Sequence, residues 1–117
     1  MKLDNGKSIT FINAITDAVY VSHANSVEHG FYDEPFNYGE KIALIHSELS
    51  ESLEADRHHP GKADEHCPDF SNEEIELADA VIRIFDLAGY KKFRLGQAIV
   101  AKMHYNHNRP YKHNKNY

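Results

Sequence analysis

The sequence predicts an all-α protein, a four-helix-type bundle. Three observations carry this. Apolar residues recur at helical spacing along four segments. Punctuation falls between them: a Ser-x-x-Glu capping box from Ser71 to Glu74, with Gly30, Pro60-Gly61, Pro68, Gly89 and Pro110 as breakers. No stretch shows a convincing period-two alternation, and no internal repeat is found. At 117 residues the chain is the size of one domain, taken as residues 1–117 with a basic tail over about 110–117.

Asp4-Asn5-Gly6 reads as a turn. Ile12, Ile15 and Val19, with Ala18 beside them, predict a first helix over about Ile9 to Glu28, ended by Gly30. Phe31 to Tyr38 contains Pro35 and the aromatics Phe31, Tyr32 and Phe36, and reads as an ordered connection. The second helix, from about Gly39 to Arg57, carries the apolar stripe Ile42, Ile45, Leu49 and Leu53. Leu44, Glu48, Glu51 and Ala55 lie on another side, a mixed face on which acids are not explained by solubility alone. After a loop from His58 to Asp69, the capping box opens a third helix running to about Ala88, with Gly89 placed to end it. Ile75, Ala78, Val81, Ile82, Phe85 and Leu87 give it a broad apolar surface, and Glu76, Asp79, Arg83 and Asp86 occupy the remaining strip. A fourth helix spans about Leu95 to His107, with Ile99 and Met103 inward, and Pro110 limits it.

Composition narrows the function. Hydrophobic residues make up 41% and charged residues 26%, as in a globular protein. A net charge of −5 argues against a chain whose main task is gripping a nucleic acid backbone. The charge is uneven: Tyr90 to Tyr117 contains Lys91, Lys92, Arg94, Lys102, Arg109, Lys112 and Lys115 and no acid. Such a segment is either a solvated basic tail or a cationic cover for the acidic middle of the chain. The single Cys67 excludes an intrachain disulfide and fits a reducing compartment. Met1 to Thr10 lacks the apolar core of a signal peptide, and no run approaches the ~20 residues of a membrane span. A cytoplasmic location with no membrane partner is expected. A chain of this size buries only about two-thirds of its unfolded surface, so a second copy would help to cover its helices.

The chemistry concentrates in Glu48-x-x-Glu51 and, 25 residues after Glu51, Glu76-x-x-Asp79. A three-residue step puts both members of a pair on one helix side. Two such helices packed antiparallel could aim four carboxylates at one point, where they repel unless a cation sits between them. Oxygen-only ligands favour Mg²⁺ or Mn²⁺, and such sites handle phosphates. The plain alternative is an exposed acidic helix face, with Asp79 and Arg83 as an i,i+4 ion pair. If the fourth helix persists to Arg109, Lys102, Asn106 and Arg109 share one side of it, and they offer a point charge, an amide and a bidentate fork for phosphate. Alone, they also suit a basic helix C-terminus complementing its dipole.

The segment Gly39 to Glu51, then Glu76-Leu77-Ala78-Asp79, then Lys102 to Tyr111, resembles the MazG-like nucleoside triphosphate pyrophosphohydrolases. These belong to the all-α NTP pyrophosphatase superfamily, with the dCTP pyrophosphatases. The resemblance covers most of the chain, and the ordered set of acid pairs with Lys-x-x-x-Asn is more specific than any one piece. It implies that fold, hydrolysis of an NTP or dNTP between the α and β phosphates, and assembly as a homodimer or homotetramer. It further implies Mg²⁺, with Mn²⁺ as a substitute, on Glu48, Glu51, Glu76 and Asp79. Glu48 or Glu51 would orient or deprotonate the attacking water. Lys102 and Arg109 would stabilise phosphate charge, and Asn106 would fix the phosphate chain. Tyr32 falls where dCTP pyrophosphatases have an aromatic residue stacking on the base, with Asn25 and His23 as polar neighbours.

Three other readings compete. A di-iron bundle wants Glu-x-x-His on two helices, and no Glu here has a His three residues later. His58, His59, His66 and Cys67 share one loop, but their spacing fits no recognised zinc motif. A non-catalytic nucleotide- or metal-binding bundle with a regulatory or structural role is the third.

Overall fold

The computed structural model describes residues 2–110, and within them the chain forms four α-helices and no strand. The basic tail after Pro110 lies outside the described residues. Helix α1 spans Asn5–Glu28, α2 Tyr38–His58, α3 Asn72–Lys91 and α4 Leu95–Asn108.

Local chemistry sets each end. Asp4 is the N-cap of α1, its side chain accepting from the Lys7 N–H, so Asn5 and Gly6 belong to the first helical turn rather than to a separate turn. The same Asp side chain that closes a turn also caps a helix, which is why the sequence pattern admits both. Gly30 follows the helix at φ 85, a conformation that favours glycine, and the chain reverses there. Asn37 caps α2 by accepting from the Glu40 N–H. At the start of α3 the full capping box is present, and the Ser71 contacts hold the exposed Glu74 carboxyl below its ordinary range.

Gly89 does not end α3, which continues to Lys91 with Lys92 as a left-handed C-cap. The glycine serves another purpose. A Cβ there would sit 2.6 Å from His23 Cβ and 3.3 Å from the Val19 carbonyl oxygen, so its absence lets α1 and α3 approach closely.

The helices pack in the order α2, α3, α1, α4. Helix α3 is central, lying against both α1 and α2, while α4 rests on α1, and no comparable packing joins α4 to α2 among the described residues. The core is thin: Ile45, Ala80, Leu87, Ala88 and Val100 are its buried apolar residues, and no large side chain is fully buried. The Cα radius of gyration is 16.8 Å, against about 13 Å for a compact domain of about 100 residues. Of the α2 stripe, Ile45 is buried but Leu49 and Leu53 are exposed; on α3, Leu77, Val81, Ile82 and Ile84 are exposed too. The broad apolar surface read from the sequence is therefore only partly covered within one chain.

Candidate functional site

The α2–α3 pairing brings the two acid pairs together. Glu48, Glu76 and Asp79 offer ligand oxygens all within 4.8 Å of one another, the one such group of three metal-capable side chains among the described residues. Glu51 stands beside this group, more exposed, and near enough to act on Glu76. Burial is the main influence raising the Glu76 carboxyl from an ordinary 4.5 to about 7, followed by the adjoining carboxylates of Glu48 and Glu51, with which it can share a proton. Asp79 is also raised, first by burial and then by the charge of Glu48, against an opposing pull from Arg83.

Two further groups enter the site. Asp64, in the loop after α2, is buried and adds its charge to those acting on Asp79. Its Oδ2 accepts from the backbone N–H groups of His66 and Cys67, which fixes the loop turn. Arg83 does not form the i,i+4 ion pair with Asp79 that the plain alternative reading of the acids entails. It reaches across to α2, where its Nε donates to Glu48 Oε1 at 2.9 Å.

A groove of about 430 Å³ leads away from the acids, within the range of small-molecule sites. Glu48, Asp79, Arg83 and Asp86 line it from α2 and α3, Asn25 and Ser26 from α1, and His29 from the C-cap of α1. Phe31, 66% exposed, stands on the connection at its side. Two buried side-chain atoms among the described residues have no hydrogen-bond partner, Glu76 Oε2 in the acid group and Ser26 Oγ in the groove wall. Buried polar atoms are normally paired, and the Glu76 orphan falls within the acid group, where a cation would satisfy it. The acid group also fits a hard divalent cation by its chemistry: crowded carboxylate oxygens, one of them raised toward neutrality.

The other sequence candidates are placed differently. Asn25 lines the groove. His23 lies at the α1–α3 contact and not in the groove lining, its Nδ1 2.9 Å from Asp86 Oδ1, and it helps line a separate recess with Gly89 and Phe93. Tyr32 is half-buried in an aromatic stack, its ring centroid 4.9 Å from that of Tyr90, its hydroxyl donating to Asp86 Oδ1, and Lys41 Nζ 4.3 Å over its face. Lys102, Asn106 and Arg109 are not among the residues lining the acid groove. Lys102 on α4 and Arg109 at its C-cap both sit over the Tyr105 ring, Lys102 Nζ at 4.4 Å and Arg109 at 5.9 Å. His58 belongs to the last turn of α2 rather than to the loop and pairs there with Glu54 at 2.9 Å, while Cys67 in the loop is exposed.

Arg83, Asp64 and Asp86 are the site residues that sequence reasoning did not assign. Arg83 and Asp86 carried a signal, since both share the narrow α3 strip with Glu76 and Asp79. Asp64 carried none beyond its charge, because a loop has no period to read. No family model, curated protein or solved structure matches the chain.

Proposed function

We propose that the chain is a Mg²⁺-dependent nucleoside triphosphate pyrophosphohydrolase of the MazG-like kind, cleaving between the α and β phosphates of an NTP or dNTP. The observation that carries this is the meeting of Glu48, Glu76 and Asp79 within 4.8 Å, at the end of a groove that also holds Arg83. Carboxylates are acceptors only, so the crowding is relieved by protons or by a cation.

In this reading Glu48, Glu76 and Asp79 hold the cation, with Glu51 as a fourth ligand or as the base. Bound there, the divalent ion would offset charge on phosphate oxygens. Glu51, exposed one turn beyond Glu48, would take the proton of the attacking water. Ser26 and Asn25 offer polar contacts along the groove, and Phe31 presents an open aromatic ring beside it. Such a ring stacks on a base with ~1–3 kcal/mol and little selectivity.

The reading includes assembly as a homodimer or homotetramer. Exposed Leu49, Leu53, Leu77 and Val81 on α2 and α3 supply apolar surface for a second copy. Lys102, Asn106 and Arg109 would then act on phosphate from wherever assembly puts them.

The test is a panel of NTPs and dNTPs with Mg²⁺, with both products identified. A nucleoside monophosphate and pyrophosphate are expected, and Glu51→Gln and Asp79→Asn should abolish their release with helix content intact. Full activity in both variants would sink the assignment.

A further inference from the structure

The groove contains one strong cation, and its position has a consequence for how the site fills. Among the described residues lining the groove, Arg83 is the single Arg or Lys. Its Nε–H is committed to Glu48 Oε1 at 2.9 Å. The Glu48 side chain is only 12% exposed whereas that of Arg83 is 42% exposed, so the carboxylate is fixed and the guanidinium has room to move. Arg83 also lines an adjoining recess with Lys41, Leu44 and Asp86, so both openings are within its reach, while Lys41 Nζ donates to the Phe31 carbonyl at 3.3 Å and lies over the Tyr32 ring. A guanidinium has five N–H donors, and among the described residues the bond to Glu48 is the one it makes.

A divalent cation drawn to Glu48, Glu76 and Asp79 changes the balance of charge around Arg83. The carboxylate that attracts the guanidinium becomes shared with a second, stronger positive charge, and the two cations repel. An anionic phosphate chain entering the groove offers the guanidinium a planar, bidentate partner that a carboxylate already engaged by a metal does not.

Building on the metal and phosphate reading above, we propose that Arg83 is a two-position counter-ion. It neutralises Glu48 before the divalent cation arrives, and turns to the phosphates of the nucleotide once the cation holds that carboxylate. Arg83 then makes metal and nucleotide binding interdependent: it competes with the ion alone and cooperates with the ion and phosphate together.

Opposite signs make this testable without turnover. Mn²⁺ alone is titrated into the wild-type chain, Arg83→Gln and Arg83→Lys, followed by free bound-ion measurement. A non-hydrolysable deoxynucleoside triphosphate analogue is then titrated at saturating Mn²⁺. Arg83→Gln should bind Mn²⁺ about fivefold more tightly and the analogue about tenfold more weakly. Arg83→Lys should keep Mn²⁺ affinity near wild type and still lose analogue affinity, because it keeps the charge but not the fork. A purely structural role would weaken both ligands. Mn²⁺ affinity unchanged or weakened in Arg83→Gln, or analogue affinity unchanged in both variants, overturns the counter-ion while leaving the acids as a metal site. Absence of saturable Mn²⁺ binding in every form overturns the metal reading and this inference with it. Should Arg83→Gln fail to fold, analogue binding by Arg83→Lys equal to wild type decides against the proposal.

Discussion

The Tyr32 hydroxyl donates to Asp86 Oδ1 at 2.9 Å, and the same oxygen lies 2.9 Å from His23 Nδ1. One carboxylate oxygen thus ties the connection before α2 and the C-terminal part of α1 to α3. Burial, reinforced by the Asp86 charge, pushes the Tyr32 phenol well above its ordinary range, so the hydroxyl remains a donor at any physiological pH.

Tyr32→Phe should therefore lower stability by about 1.5–3 kcal/mol, the worth of a hydrogen bond to a charged acceptor, while the ring stays stacked on Tyr90. Denaturant unfolding measures the loss. If Tyr32 acts through this bond rather than by stacking on a base, Tyr32→Phe leaves affinity for a nucleotide analogue within about twofold of wild type, whereas Phe31→Ala weakens it by about tenfold.

Gly89→Ala should be more damaging than an exposed Gly→Ala change in a helix, which normally stabilises. The new methyl would meet His23 Cβ at 2.6 Å, forcing α1 and α3 apart or turning His23 away from Asp86. A cost of about 1–3 kcal/mol is expected from overpacking. Thermal melting should show a drop of several degrees, and the His23 ring resonances should shift. An unchanged melt would mean that the close approach is easily relaxed.

Much of the fold was legible because helices announce themselves. The capping box at Ser71, Gly30 after α1 and the four apolar stripes located every helix to within a few residues. Gly89 was misread because glycine has two uses in a helix, ending it and permitting close packing, and only the neighbouring helix distinguishes them. The acid trio was legible because Glu48, Glu76 and Asp79 keep helical spacing and the two helices pair. Arg83 was visible as an i+4 neighbour of Asp79, but the sequence could not reveal that its partner is Glu48 on another helix. Asp64 was invisible because loop geometry depends on backbone contacts such as those it accepts from His66 and Cys67. Tyr32 pointed to aromatic chemistry, but the choice between a ligand and Tyr90 as its stacking partner is a matter of tertiary packing.

The exposed apolar side chains of α2 and α3 lead to a prediction about assembly. Leu53 and Leu77 are 49% and 50% exposed, in a chain whose own core is thin. Leu53→Glu with Leu77→Glu removes apolar surface without touching the acid trio or the groove. Sedimentation at micromolar concentration should give a dimer or tetramer for the wild type and a smaller species for the double variant. A monomeric wild type would mean that these residues are simply tolerated at the surface.

Glu76 leads to a pH dependence whose sign is fixed by its environment. Its carboxyl rises from an ordinary 4.5 to about 7, so the folded chain holds that proton more tightly than the unfolded chain does. The associated stability is fully present below about pH 4.5, declines as pH rises through about 7, and is absent above it. In the absence of divalent ions the chain should be more stable at about pH 5 than at about pH 8 through this group, by on the order of 1 kcal/mol after solvent screening. Glu76→Gln should flatten that slope and raise the melting temperature at the alkaline end. Mg²⁺ should reverse the trend in the wild type, because a metal needs its carboxylates ionised and binds more strongly as pH rises. At a Mg²⁺ concentration of about 100 times Kd the gain is about 2.7 kcal/mol, and Glu76→Gln or Asp79→Asn should lose most of it. Thermal melts across this range, with and without Mg²⁺, separate the two effects: a wild-type slope that Glu76→Gln leaves unchanged would place the titrating group elsewhere, and a melt that ignores Mg²⁺ at every pH would show that the acid group holds protons only.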